Sequence, residues 1–239
     1  MKLPERLETI ISMVPKCDTA ADIGCDHAYV SIALVERGIA KHAIACDINV
    51  GPLKHAEENI RAAGVEEKIE TRLCDGLSGV KAGEADTVII AGMGGMLMEK
   101  ILDGRLKDFP NYVLSPQLDI PHFRHFLIDH GCTIEDEQMV EEDGKFYVVM
   151  QVKCNRRELL VKPNAHEKRP QTYDTELKQP YRRDIDFLFG GWLLQKKDPV
   201  LKSFLDKERA RYQDILTKTD QTEIREKLSY VLKALFIMG

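Results

Sequence analysis

No apolar run approaches the roughly 18 residues that a membrane-spanning helix needs. The N-terminus, Met1-Lys2-Leu3-Pro4-Glu5-Arg6, lacks the apolar core of a signal peptide, so a cytoplasmic protein is expected. The six cysteines form no CxxC pair. They read as small reduced residues, with Cys25, Cys46 and Cys74 in or next to buried strands, rather than as disulfides or zinc ligands. No Lys-Ser or Lys-Thr follows the glycine cluster Gly92-Met93-Gly94-Gly95, which excludes a Walker-type phosphate loop. No internal repeat or low-complexity tract is present.

What the chain does carry is concentrated in Thr19-Ala20-Ala21-Asp22-Ile23-Gly24-Cys25-Asp26-His27-Ala28-Tyr29, followed by Asp47 at the end of Ala43-Ile44-Ala45-Cys46. A short apolar strand delivers an acid and a glycine into a tight turn; a helix follows, then a second buried strand ends in an acid. Roughly 20 residues separate Gly24 from Asp47, the interval at which a βαβ unit brings its second strand beside the first. An acid in that place accepts hydrogen bonds from a ribose diol, and Gly24 lets a ligand lie against the backbone. A dinucleotide fingerprint would place further glycines here, yet Asp26 and Ala28 stand instead. Asp26 would repel a pyrophosphate and attract a sulfonium or an amine. The turn therefore favours S-adenosylmethionine over NAD or FAD, the bland alternative being an α/β domain without a nucleotide.

Further along, Asp75 in Leu73-Cys74-Asp75-Gly76 ends a third strand, where it can accept the exocyclic amine of adenine. Ile89-Ile90-Ala91-Gly92-Met93-Gly94-Gly95 opens the backbone after a fourth, where methyl donor and acceptor must meet. Gln117, after Leu114-Ser115-Pro116, is a paired donor and acceptor suited to a purine edge, or simply part of a strand-end turn. His27 sits in the ligand turn itself, placed to accept or donate near a substrate, or to bond to backbone. His122 and His125 with His130 suggest a metal at first sight. They lack a third ligand at helical spacing and read as a solvated helix face, so no metal is expected.

Strands are predicted near 19–24, 42–47, 68–73, 85–91 and 111–116, with helices over 5–14, 28–37, 51–63, 94–104 and 119–130. A closing antiparallel pair near 132–138 and 146–153 turns at Glu142-Asp143-Gly144-Lys145. The expected fold is thus α/β, a Rossmann-like class I methyltransferase sheet, parallel with a final antiparallel strand, over residues 1–154. Residues 155–239 form a polar linker, an apolar patch at Phe187-Leu188-Phe189-Gly190-Gly191-Trp192-Leu193-Leu194 and an α-helical hairpin. Its heptads run through Leu201, Leu205, Glu208, Tyr212 and Ile215, and through Ile224, Leu228, Val231, Leu235 and Met238, with Asp220-Gln221-Thr222-Glu223 as the second helix's cap. The net charge of −5 hides an asymmetry. Residues 1–154 hold 16 Lys and Arg against 26 Asp and Glu, while residues 155–239 hold 18 against 13. A basic tail points to an acidic partner such as nucleic acid, or to the mixed charge of any exposed hairpin.

With these residues in view, the chain resembles the bacterial tRNA (adenine-N1) methyltransferases that modify adenine 22. The resemblance spans essentially the whole length: Ala21 to Tyr29, Asp47-Ile48-Asn49-Val50-Gly51-Pro52-Leu53, Arg72 to Leu77, Ala91 to Gly95, and Glu142 to Tyr147. Cys25 stands where the family would carry Ser or Thr, and Gln117 where it would carry Asn. The resemblance implies that Asp22, Gly24, Asp26, His27, Asp47, Ile48, Asp75, Gly76, Gly92, Met93 and Gly94 bind the cofactor S-adenosylmethionine. Asp26, with His27 and Gln117, is the candidate for catalysis. Tyr29, Gly95, Arg156, Arg157, Arg182, Arg183, Arg209 and Arg211 are candidates for holding tRNA, the last six as phosphate contacts. The chain is taken as a monomer whose heptads close within the hairpin, although spacing alone does not separate pairing within a chain from pairing between chains. Two other readings stay open: a methyltransferase of a small molecule or protein, and a non-catalytic RNA-binding module that keeps the cofactor pocket.

Overall fold

The structure is a computed structural model, and it describes residues 3–154, 179–219 and 221–239. β-Branched runs make the centre. Strands β1 (Cys17–Ile23), β2 (Ala40–Asp47), β3 (Ile69–Leu73), β4 (Thr87–Ala91) and β5 (Asn111–Ser115) are all parallel. They are completed by β6 (Cys132–Glu142) and β7 (Lys145–Cys154), giving one sheet of order β3-β2-β1-β4-β5-β7-β6. The last strand, β7, slots antiparallel between β5 and β6. The β6–β7 turn places Asp143 at φ 50° and Gly144 at φ 74°, the left-handed pair that a two-residue hairpin loop needs. This hairpin is longer than the sequence pattern indicates, because polar residues such as Glu141 and Glu142 continue the ladder down to Glu142 opposite Lys145.

Alternation along the strands feeds two layers. Ile23, Ile90, Leu114 and Met150 face one side, with Met98 and Leu102 of α4 (Gly95–Leu102) and Phe123 and Leu127 of α5 (Ile120–Asp129). Ala20, Ile89, Val113 and Val149 face the other, beneath α1 (Glu5–Met13) and α2 (Tyr29–Glu36). α3 (Val50–Ala63) covers β2 and β3. With both faces covered, the binding edge is left at the strands' C-terminal ends.

The C-terminal elements are α6 (Asp184–Phe189), α7 (Gly191–Lys196), α8 (Pro199–Lys218) and α9 (Thr222–Met238). Asp198 caps α8 by accepting the Val200 and Leu201 amides at 2.9 Å each. Asp220 of the expected α9 cap lies outside the described residues. Leu201, Leu205, Tyr212, Val231 and Met238 are buried, in the same apolar core as Tyr112, Leu127 and Ile134. The patch at Phe187 to Leu194 forms the joint: the Trp192 indole donates to the Ile134 carbonyl at 2.6 Å.

One expectation is corrected here. Cys132 and Cys154 form a disulfide, whereas the reading of the cysteines has all six reduced. Strand register, not sequence spacing, brings them together: they are direct partners across β6 and β7, with Cα atoms 4.3 Å apart. On the helix of the three histidines, His122 and His130 are exposed and His125 stacks on Phe187, while Arg124 is 1% exposed. Its Nε donates to Glu137 on β6 at 2.8 Å, and its Nη1 to the carbonyls of Phe187 at 2.9 Å and Leu188 at 3.3 Å. The Tyr181 hydroxyl donates to the other Glu137 oxygen. A buried charged network therefore roots α6 and α7 on the sheet domain.

The direction of the hairpin follows from this root. β6 runs parallel to β5, so its end at Glu141 and Glu142 shares the sheet edge that carries the ligand turns. Lys196 pairs with Asp136 lower on β6, and Lys207 with Glu141 at its end, at 2.5 Å. α8 runs beside β6, and its stretch from Lys207 to Lys218 is roughly 16 Å long at the helical rise per residue.

Candidate active site

At the end of β1 the chain turns through Gly24, at φ 76°. That left-handed backbone favours glycine, and a Cβ there would lie 2.3 Å from the Met93 Cε, at the end of a flexible side chain. The amides of Gly24 and Cys25 both donate to the Cys46 carbonyl, at 2.8 and 2.9 Å, which fastens the turn to β2. Asp26 and Ala28 then adopt left-handed conformations, φ 49° and 57°, on either side of His27. Such strain in non-glycine residues costs on the order of 1 kcal/mol each and tends to collect at functional sites.

Each carboxylate has a distinct setting. Asp22, 6% exposed, accepts the Ser31 hydroxyl at 2.9 Å. Burial pushes its carboxyl up to about 6, against the Ser31 hydrogen bond and with help from the nearby charge of Asp47. Asp47 accepts the Asn49 amide at 2.8 Å on one oxygen and the Asp26 amide at 3.4 Å on the other. Asp75 precedes the 3₁₀ turn Gly76–Gly79 without capping it through its side chain. His27 stacks between Tyr29 and His55, with ring centroids at 5.4 and 5.5 Å, and its Nε2 lies 3.7 Å from Asp26. Burial pushes the Cys25 and Cys46 thiols well up, so neither supplies a thiolate at neutral pH.

The β4–α4 and β5–α5 loops are tied together by backbone. Gln117 donates its amide to the Met93 carbonyl at 2.9 Å, and Gly95 donates to the Leu118 carbonyl at 3.0 Å. A Cβ on Gly95 would come within 2.8 Å of that carbonyl oxygen. The tie sets Gln117 beside Gly92 and leaves Leu118 and Met96 exposed on the rim, at 67% and 68%.

These elements enclose a cleft of about 670 Å³. Asp22, Gly24, Asp26, His27, Tyr29 and Asp47 line one part of it; Ile48, Asp75, Gly76, Gly92, Met93 and Gln117 line the rest. Gly94 and Gly95 stand behind the wall, as cap and first residue of α4. The arginines do not converge on the cleft. Arg183 is bound to Asp186 at the start of α6, at 2.7 Å, and the Arg182 amide donates to the same carboxylate. Arg209 and Arg211 pair along α8 with Asp206 at 3.0 Å and Glu208 at 2.7 Å. Arg156 and Arg157 lie outside the described residues. The sequence reading missed Arg6, which lines the cleft from α1; no spacing signals it, because its place depends on α1 docking against β5 to β7.

Among the described residues, no group of three or more His, Cys, Asp or Glu is placed to hold a metal ion, and no helix is long and apolar enough to cross a membrane. An acidic cleft at the ends of parallel strands, opened by glycines and free of a phosphate loop, suits a ligand with hydroxyls and positive charge.

Comparison with known proteins agrees with this geometry. The methyltransferase domain family matches residues 3–150. The tRNA (adenine(22)-N(1))-methyltransferase of Bacillus subtilis (strain 168) is 37% identical over 161 residues, 66% of this chain and 68% of that protein. The crystal structure of the B. subtilis M1A22 tRNA methyltransferase TrmK aligns over 99% of this chain and 97% of its own, at 28% identity and TM-score 0.70. Sp1610 of Streptococcus pneumoniae, solved in complex with S-adenosyl-L-methionine, aligns over 98% of this chain and 100% of its own, at 31% identity and TM-score 0.80. TrmK of M. capricolum, solved with S-adenosyl-homocysteine, covers 100% of both chains at 25% identity and TM-score 0.79. The chain belongs to the family of bacterial tRNA (adenine(22)-N(1))-methyltransferases.

Proposed function

We infer that the protein transfers a methyl group from S-adenosylmethionine to N1 of adenine 22 in tRNA. One observation carries this reading: the acidic, glycine-opened cleft sits in a chain that aligns end to end with relatives solved with S-adenosylmethionine or its product.

The residues present fit that ligand. Asp47 keeps lone pairs toward the cleft for a ribose diol, and Asp75 faces it uncommitted to its own turn. Asp22, a carboxyl whose ionisation is opposed by burial, gains from a cation placed beside it. Gly24 and Gly92 admit the ligand against backbone. When bound, S-adenosylmethionine supplies a methyl group already activated on a sulfonium.

The chain's own task is then positioning. β4 separates β1 from β5, so Asp26 and Gln117 line the same cleft from the loops that follow two non-adjacent strands. Asp26 faces the positive charge that develops on the methylated ring, with His27 beside it, and Gln117 offers a donor and an acceptor to the base edge. Exposing the adenine from a folded tRNA costs a few kcal/mol. The helical hairpin, with Arg209 and Arg211 on its outer surface, supplies the phosphate contacts that offset this cost. We read residues 1–154 as the catalytic domain, the hairpin as the tRNA-binding arm, and the protein as a cytoplasmic monomer.

The test is transfer of labelled methyl to two tRNA transcripts, one with adenine and one with guanine at position 22. Label on the adenine transcript alone, mapped to N1, is the expected result. Equal labelling of both transcripts would move the target, and no labelling despite cofactor binding would leave a small-molecule enzyme or a binding module.

A further inference from the structure

His27 is held from behind the cleft. Its ring lies against His55 of α3 with centroids 5.5 Å apart and 18° between the planes, and against Tyr29 at 5.4 Å and 23°. The same helix also grips the backbone, because the Asn59 side-chain amide donates to the His27 carbonyl at 3.0 Å. His55 and Asn59 stand at i and i+4, one turn apart on one face of α3. A single helix face therefore meets both the ring and the main chain of one residue. Neither His55 nor Asn59 lines the cleft, whereas His27 and Tyr29 do.

α3 is itself registered on the acids of the cleft. Asn49, its cap, donates its amide to Asp47 at 2.8 Å, and Asp47 in turn accepts the Asp26 amide at 3.4 Å. The turn has need of such support. His27 sits between two left-handed residues, Asp26 at φ 49° and Ala28 at φ 57°, and its side chain is 40% exposed. Burial alone does little to fix an imidazole so placed. Left to its rotamers, Nε2 would leave its position 3.7 Å from Asp26. Nearly parallel rings beside it hold its plane, and the Asn59 hydrogen bond holds the backbone from which it projects.

We propose that His55 and Asn59 are positioning residues for methyl transfer, which with Tyr29 keep the His27 imidazole beside Asp26. The proposal rests on the reading given above, in which His27 acts next to Asp26.

The experiment is methyl-transfer kinetics on tRNA with the full chain and its variants, alongside calorimetric titration with S-adenosylmethionine. His55→Ala and Asn59→Ala are each expected to lower kcat about 10-fold, because displacing a group near the reacting atoms by about 1 Å is costly. Affinity for S-adenosylmethionine and KM for tRNA should each stay within about twofold of the wild type, which also shows that the variants are folded. His55→Phe, which keeps a flat ring against His27, should recover kcat to within about threefold. In a His27→Ala background neither substitution should lower kcat further, since both act through that imidazole. A loss of kcat that persists undiminished in that background would overturn the proposal. So would a raised KM for tRNA at unaltered kcat, which would place His55 against the RNA. Loss of S-adenosylmethionine affinity in step with kcat would overturn it in favour of a structural role. Full turnover by His27→Ala would overturn the reading of His27 itself, and the proposal with it.

Discussion

Replacing Arg124 with methionine removes the cation from the buried network at the root of the hairpin. Glu137, 0% exposed, is then left with the Tyr181 hydroxyl alone on its carboxylate, and the carbonyls of Phe187 and Leu188 lose their donor. Breaking a buried ion pair from one side costs about 3–5 kcal/mol, because the remaining charge has no solvent. Against a total stability of roughly 5–15 kcal/mol this is a large fraction. In a chain of this size it corresponds to a fall in Tm of roughly 6–20 °C. Urea unfolding of wild type and Arg124→Met, followed by circular dichroism, measures it. The same reasoning requires rescue: Arg124→Met with Glu137→Leu and Tyr181→Phe removes every charge and unpaired hydroxyl of the network, and should recover most of the loss. A cost below about 1 kcal/mol for the single variant, or no recovery in the triple, would refute the view of Arg124 as a buried charge dependent on Glu137.

Asp26→Asn should still bind S-adenosylmethionine but lose most turnover on tRNA, seen by calorimetry and methyl transfer; unchanged turnover would remove Asp26 from the mechanism. Because burial raises the Asp22 carboxyl to about 6, its proton is held in the folded apo protein below that pH and in the unfolded chain only below the ordinary carboxylate range. Apo stability therefore rises as pH falls through 6 toward 4, and a cationic ligand that needs the ionised form binds more weakly over the same interval. Titrations across that range should show this weakening, and Asp22→Asn should flatten it. Reducing the Cys132–Cys154 bridge, which closes a loop of 22 residues, should lower stability by about 3 kcal/mol. Equal Tm with and without reductant would show that the pair is unbonded in solution.

What could be read in advance was whatever lies close along the chain. Gly24, Asp47 and Asp75 each end a strand, and alternating strands and helices fix which edge they share, so the cleft followed from local pattern. The heptads of α8 and α9 were equally local. Contacts made by register and docking left no such trace. Cys132 meets Cys154 through the pairing of β6 with β7, and Arg124 meets Glu137 only once α5 lies against β6. Arg6 reaches the cleft through the seating of α1. The left-handed turn at Ala28 was hidden for another reason: alanine does not advertise that conformation as glycine, or to a lesser degree aspartate, does.

The buried root of the hairpin has a mechanical consequence. A lever whose base is clamped by Arg124, Glu137, Trp192 and the Lys207–Glu141 pair cannot swing without breaking those bonds together. Its outer stretch, from Lys207 to Lys218, is thus carried on an anchored base. Whatever rests on that stretch meets the floor of the cleft at one constant reach, as between the two jaws of a gauge.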